Sequence, residues 1–436
     1  MRRTRREFFR AAGAGLLAPA AIEAAQGDVR TASRPSELKI TDLRVADIGT
    51  IALIRLDTNQ GISGYGETYT SSSKIYPLFL KSRLLGENPC NIDKLFRKIK
   101  QFGFHARQAS GVTAVEMALW DLAGKAYGIP VYQLFGGKFR DRIRLYADTP
   151  ESHDPAVFAS RLKQRMDKGF TWLKMDLGMD LVERTPGTVT HPLGATQNYF
   201  SEFGHTGGWE LTDKGIAMMS DYVAQVREAI GMEIPLSADH FGHIGVNSCI
   251  RLGKALEKHN LAWLEDMIPW MYTDLLKRIA DAVDTPIATG EDIYLKEPFR
   301  ALCEKHAVDI VHPDISCAGG LLETRKIGDM AQEFGVPMAI HSGATPIGHM
   351  AAVHCAAATE NFLALEHHHI DDAWWEEMAV VPEKPIVDRG FVKVPEAPGL
   401  GVSLNEEVVR KLVRQGGYFE PTPQWDNERS ADRLWS

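Results

Sequence analysis

Short apolar runs in the second half of the chain end in an ionisable residue at a regular beat. The terminal residues are Asp239, Glu265, Glu291, Asp314, His341 and Glu366, and the intervals between them are 26, 26, 23, 27 and 25 residues. One strand, one loop and one amphipathic helix fill such an interval, and repeated βα units close most naturally into a barrel of parallel strands. The runs themselves include Ala262-Trp263-Leu264, Pro286-Ile287-Ala288, Ile310-Val311, Met338-Ala339-Ile340 and Phe362-Leu363-Ala364-Leu365, with Trp172-Leu173-Lys174 and Ile234-Pro235-Leu236 before them. A regular repeat places every terminal residue at the carboxyl ends of the strands, the barrel face that holds active sites. A single carboxylate there is more often a helix cap or a solvated loop residue. A series in phase is not explained that way. From Lys174 to Asp239 the interval is 65 residues. That connection therefore carries an insertion over 180–212, an ordered loop by composition and either functional or a subunit contact.

The region before the barrel is organised differently. Strand-like runs at Leu43–Ile48, Ile51–Leu56 and Ile62–Glu67, with a turn at Asp57–Gly61, precede a helical apolar face. That face comprises Val112, Val115, Met117, Ala118, Leu119 and Leu122 and ends near Gly128-Ile129-Pro130. The pattern predicts a small α+β domain. Composition adds exclusions. A formal charge of −8 makes the chain a poor partner for nucleic-acid phosphates, and the five cysteines form no CxxC pair, which argues against a zinc ribbon or redox motif.

Residues 1–25 carry five arginines in the first ten positions, then a short Ala/Gly/Leu stretch, then small residues. That order is the order of an export signal, and Thr4-Arg5-Arg6-Glu7-Phe8-Phe9 resembles the twin-arginine type. The apolar run is too short to span a bilayer, so a protein exported to the periplasm without stable membrane insertion is expected.

The terminal residues suggest a reaction. Asp239, Glu265 and Glu291 are hard oxygen ligands on adjacent strands and suit Mg2+. Three carboxylates so close cannot all stay ionised without a cation. Asp314 can hold His341 in one tautomer as a general base. Lys174 reaches in from the other side as a base or as a cation facing a substrate carboxylate, and Glu366 can hydrogen-bond to charge developing on that carboxylate. Removal of a proton next to a carboxylate, by way of an enediolate, fits this set.

The same residues resemble the enolase superfamily and, within it, the mandelate racemase subgroup, over nearly all of residues 38–436. The resemblance rests on Gly64-Tyr65-Gly66-Glu67, on Ala114–Lys125 with its Trp120-Asp121 pair, on Leu134-Phe135-Gly136-Gly137 and on Pro398-Gly399-Leu400-Gly401. In the barrel it rests on Asp239, Glu265 and Gly290-Glu291-Asp292 as metal ligands, Asp314 and His341 as a dyad, and Glu366. It implies an α/β fold, a modified TIM barrel of (β/α)7β form with an N-terminal α+β capping domain. The implied boundaries are 1–37 for signal and linker, 38–140 for the cap, 141–385 for the barrel and 386–436 for a segment returning to the cap. One Mg2+ per subunit, a sugar acid or hydroxy acid as substrate and a homo-oligomer are also implied.

Three departures from the subgroup pattern narrow the reading. Many members carry Lys-x-Lys on the second strand, whereas this chain has Lys174-Met175-Asp176. Two-base racemisation then lacks a base, so dehydration of an acid sugar to a 2-keto-3-deoxy acid is favoured over racemisation. In Asp239-His240-Phe241-Gly242-His243 the histidine stands next to the ligand aspartate rather than two residues on, which leaves open whether His240 is an acid or substrate contact or points away. Glu265-Asp266-Met267-Ile268-Pro269 has two extra residues before the proline and is expected to reshape the pocket rim. His367-His368-His369 reads mainly as loop solvation, with one pocket-lining histidine among the three as the alternative, and Trp374-Trp375 as packing of barrel against cap. An epimerase or cycloisomerase is the alternative activity, and a non-catalytic sugar-acid binding protein the alternative class.

Overall fold

The computed structural model describes residues 33–103, 106–190, 209–239 and 244–427. The export-like segment, the middle of the insertion and His240 lie outside the described residues. Strands β1 (Ile40–Asp47), β2 (Ala52–Thr58) and β3 (Ser63–Glu67) form an antiparallel sheet in the order β1-β2-β3. The helix Ala106–Tyr127 lies across it, and residues 109–124 are all buried because the helix has the sheet on one side and the barrel on another. Gly64 and Gly66 allow that approach. A Cβ at either position would collide with the helix carbonyl oxygens of Ala118 and Ala114.

The barrel begins with β4 (Arg142–Ala147) and β5 (Leu173–Asp176). In the insertion, β6 (Val189–Thr190) pairs with β7 (Glu210–Leu211), which ties its two ends together. The barrel continues through β8 (Leu236–Asp239), β9 (Leu264–Glu265), β10 (Ile287–Thr289), β11 (Ile310–Val311), β12 (Met338–Ile340) and β13 (Phe362–His367). β13 pairs in parallel with β4, with Glu366 opposite Tyr146, so the eight parallel strands close. Below the mouth the interior is filled unevenly. Tyr146, Trp172 and Trp263 occupy one part and Ala288, Ile310, Ala339 and Ala364 the rest, the alternation of large and small that native packing density demands.

After β14 (Ala379–Val380), β15 (Val387–Asp388) and β16 (Phe391–Lys393) form a hairpin whose β16 pairs with the first half of β4. The chain therefore stays with the barrel until about Lys393. Its contacts with the small domain come later, where Leu400 N–H donates to Asp121 Oδ1 at 2.9 Å and Thr422 Oγ1 to Leu43 O at 3.0 Å. Between these contacts, β17 (Ser403–Leu404) pairs with β14.

Two buried carboxylates of the small domain dock on the barrel. Glu67, at the end of β3, accepts from Thr345 N–H at 2.9 Å and from the Thr345 hydroxyl, at the start of the helix Pro346–Ala358. Glu116 accepts from Leu321 N–H at 2.7 Å, Leu322 N–H at 3.0 Å and Trp120 Nε1 at 2.6 Å, at the start of the helix Leu321–Glu333. Gly320 is required there because a Cβ on it would strike the Glu116 carboxylate. These helices follow the strands that lead to His341 and Asp314, so the small domain grips the two loops nearest the predicted dyad.

Candidate active site

Parallel pairing brings the terminal residues together, as the beat in the sequence predicts. Lys174 and Asp176 lie on one face of β5, two residues apart, and Asp176 is in register with Asp239 of β8. Lys174 Nζ sits 2.8 Å from Asp239 Oδ2, 2.8 Å from Glu366 Oε1 and 3.5 Å from Glu265 Oε1. Burial would lower its pKa, but Asp239, Glu265 and Glu366 outweigh burial and hold it well above the ordinary lysine value. For Asp176, burial and the nearby Asp239 push the carboxyl well above the ordinary aspartate value, against the pull of Lys174.

One oxygen from each of Asp239, Glu265 and Glu291 lies within 4.8 Å of the others. Two further groups among the described residues meet the same distance, His341-Glu366-His368 and Glu265-His312-Glu366, but each brings in imidazole nitrogen, a softer donor. The all-oxygen trio is the set whose chemistry fits a hard divalent cation. Glu265 is oriented from below, where Trp263 Nε1 donates to its Oε2 at 2.8 Å and His312 Nδ1 lies 3.0 Å from Oε1.

Asp314 and His341 are joined by a parallel bridge, and His341 Nδ1 is 2.6 Å from Asp314 Oδ2. The other carboxylate oxygen accepts from Ser316 N–H at 2.5 Å, which pins the aspartate. Nδ1 is thereby committed, and Nε2 is turned to the mouth, 3.2 Å from Glu291 Oε2 and 3.7 Å from Glu366 Oε2. Burial pulls this imidazole down, but Glu291, Glu366 and Asp314 raise it well above the ordinary histidine value. Glu366 is fully buried. Burial alone would raise its pKa, yet Lys174, His341 and His368 hold it well below the usual carboxylate range.

Several residues at the site were not singled out from the sequence. Tyr146 donates from its hydroxyl to Glu366 Oε2 at 2.8 Å and lies 2.6 Å from His312 Nε2. His312 stands two residues before Asp314, so period-two alternation alone marks it as the layer below. Tyr69, from the loop after β3, brings its ring to 6.3 Å from that of His341. His368 Nε2 lies 3.1 Å from Glu366 Oε1, His367 is buried against Trp375, and His369 pairs with Asp372. The solvated-loop reading of this triplet is therefore corrected, because β13 runs on to His367 and carries the triplet into the barrel end.

Met267 and Ile268 are buried in the core, after a left-handed Asp266 (φ 47°) turns the chain inward. One other expectation is also corrected. Trp375 donates from Nε1 to Ala344 O at 2.9 Å and packs on His349 and His367, all of them barrel residues.

Comparison with known proteins agrees with this architecture. Residues 157–408 match the enolase C-terminal domain-like family, and residues 21–136 match the mandelate racemase / muconate lactonizing enzyme N-terminal domain. A D-xylonate dehydratase of Haloferax volcanii is 33% identical over 395 residues, covering 86% of this chain and 90% of that protein. A D-gluconate/D-galactonate dehydratase of Picrophilus torridus is 29% identical, covering 86% and 92%. The crystal structure of a mandelate racemase/muconate lactonizing enzyme-like protein from Rubrobacter xylanophilus superposes with a TM-score of 0.78 at 31% identity, covering 88% of this chain and 99% of that one. The chain is an enzyme of the enolase superfamily and belongs to its mandelate racemase and muconate lactonizing enzyme family.

Proposed function

We propose that the protein is a Mg2+-dependent dehydratase of a sugar acid, yielding a 2-keto-3-deoxy acid. The observation that carries the reading is the His341 imidazole, with Nδ1 held by Asp314 and Nε2 aimed at the mouth beside Glu366. Asp239, Glu265 and Glu291 would hold the Mg2+, which supplies electrostatic stabilisation of negative charge developing on the substrate carboxylate. Lys174 binds that carboxylate as a cation, and His341, in the neutral form that a cation held by Glu291 would favour, removes the proton from the adjacent carbon. Glu366, which accepts from Lys174 and Tyr146 and pairs with His368, holds Lys174 in place to face that carboxylate. Aspartate at position 176 supports one-base elimination over two-base racemisation, because burial disfavours the carboxylate form of Asp176 and Lys174 already sits among three carboxylates. The relatives with sugar-acid dehydratase names support the same choice.

The test is a screen of residues 26–436 with Mg2+ against mono- and diacid sugars, read by semicarbazide for keto acid and by deuterium uptake from D2O. Keto acid formed from one stereochemical series, and lost in His341→Asn, is the expected result. Deuterium uptake without keto acid would instead favour an epimerase or cycloisomerase, with Lys174 as the second base. We also propose export by the twin-arginine route on the strength of Thr4–Phe9. Fusion of residues 1–37 to a reporter should deliver it to the periplasm, and replacing Arg5-Arg6 with lysines should keep it inside. Among the described residues no helix is long and apolar enough to cross a membrane.

A further inference from the structure

We propose that His368 is the general acid that protonates the departing hydroxyl, a role that rests on the dehydratase reading above. Removing a proton from C2 is half of a dehydration, and hydroxide is a poor leaving group unless a proton reaches it as the C3–O bond breaks. The donor must therefore stand near His341, carry a proton at neutral pH and reload from solvent.

His368 meets these requirements. Its Nε2 lies 3.1 Å from Glu366 Oε1, while His341 Nε2 lies 3.7 Å from Glu366 Oε2. Two imidazoles thus converge on the two oxygens of one carboxylate, with ring centroids 5.6 Å apart at 74°. The other ring nitrogen, Nδ1, is 3.6 Å from Asp148 Oδ2, just past the end of β4, an ion-pair distance where His341 has a 2.6 Å hydrogen bond to Asp314. The side chain is 34% exposed against 6% for His341, which gives it the route to water that a reloading acid needs. Burial lowers its pKa, but Glu366 and Asp148 more than compensate and favour the protonated form. Among the described residues the other nearby donors are less suited. Lys174 is held among Asp239, Glu265 and Glu366, Tyr146 is buried with its hydroxyl on Glu366, and burial raises the Tyr69 phenol, making it a weaker acid.

The step balances as follows. His341 Nε2 takes the C2 proton and the electron pair moves into the carboxylate to form the enediolate. The pair returns to form the C2–C3 double bond, the C3–O bond breaks, and His368 Nε2–H gives its proton to the departing oxygen, releasing water. The enol tautomerises to the 2-keto-3-deoxy acid, while His341 loses its proton to solvent and His368 gains one. Both histidines flank Glu366, so the proton and the hydroxyl depart from one side in a syn elimination.

The experiment compares wild type, His368→Asn and His368→Gln in Mg2+ with an active sugar acid and with its 3-deoxy-3-fluoro analogue. In both variants keto-acid formation should fall by about 10²–10³ while deuterium exchange at C2 continues. Fluoride departs without a proton, so release of fluoride should stay near the wild-type rate. Loss of exchange together with dehydration, in a variant that melts as wild type does, would mean that His368 only seats Glu366 and would overturn the proposal. Dehydration within about threefold of wild type in either variant would overturn it too, and would assign both proton transfers to His341. A wild-type enzyme that exchanges C2 but makes no keto acid from any sugar acid would sink the dehydratase reading, and His368 as its acid with it.

Discussion

The protein buries carboxylates in two places, and their partners differ. At the seam between the small domain and the barrel, Glu67 and Glu116 are 0% and 1% exposed and are met by backbone N–H groups at the first turns of two helices, with Thr345 and Trp120 side chains beside them. At the mouth, Asp239, Glu265, Glu291, Asp314 and Glu366 are met chiefly by Lys174, His341, His312 and His368. Burial alone does not sort them, since Glu265 and Glu366 are as buried as Glu67 and Glu116 while the Glu291 side chain is 22% exposed. A helix N-terminus satisfies a carboxylate with fixed dipoles that exchange nothing, whereas lysine, imidazole and a divalent cation supply charge that can move or be replaced. Partners, more than burial, therefore separate an anchoring carboxylate from a reactive one. The two sets are nonetheless linked. Glu67 and Glu116 hold the loops that follow His341 and Asp314, so docking of the small domain sets the backbone on which the dyad stands.

Substitutions on the two sides should separate activity from stability. The largest effect is expected for His341→Asn, which should lower kcat by about 10²–10⁴ in steady-state assays while the melting temperature stays close to wild type. A large loss of stability would erase the distinction between mouth and seam. Next, Asp239→Asn should weaken Mg2+ binding by at least about tenfold, the lower bound set by disturbing even an outer-shell partner, as read by isothermal titration calorimetry. Unchanged Mg2+ affinity would remove Asp239 from the metal set.

On the seam side, Glu67→Ala strands the Thr345 N–H and hydroxyl. It should cost about 1–3 kcal/mol of stability, measured by denaturant unfolding with metal present, and it should lower activity only as far as the His341 loop shifts.

The smallest effect is a pH slope. Burial raises the Glu67 carboxyl to about 8 and the Glu116 carboxyl to about 7, against the hydrogen bonds each accepts. The folded state then holds protons that the unfolded chain has released, so these groups contribute stability at low pH that is lost as pH rises through the folded values. Melting temperature should decline between about pH 5 and pH 8 more steeply in wild type than in Glu67→Gln or Glu116→Gln. Parallel curves would mean that both carboxylates stay ionised on their helix ends.

The beat from Asp239 to Glu366 was legible because strand period and βα length are local properties. Once the strands close, residues that share a phase share a face, so Lys174 and Glu366, 192 positions apart, meet at 2.8 Å. The glycines of Gly64-Tyr65-Gly66 were legible as part of a motif, and the structure supplies the reason in the helix backbone they face. Tyr146 was passed over because β4 ends in no charged residue within its own span, and only register with β13 places it opposite Glu366. His367, His368 and His369 have the same composition and polarity. One lies buried on Trp375, one reaches Glu366 and one pairs with Asp372, because the end of β13 and the turn after it point successive side chains in different directions. Local periodicity determined which strand ends share the mouth. Which buried carboxylate anchors and which reacts was decided by neighbours that only chain closure and docking of the small domain bring within hydrogen-bond range.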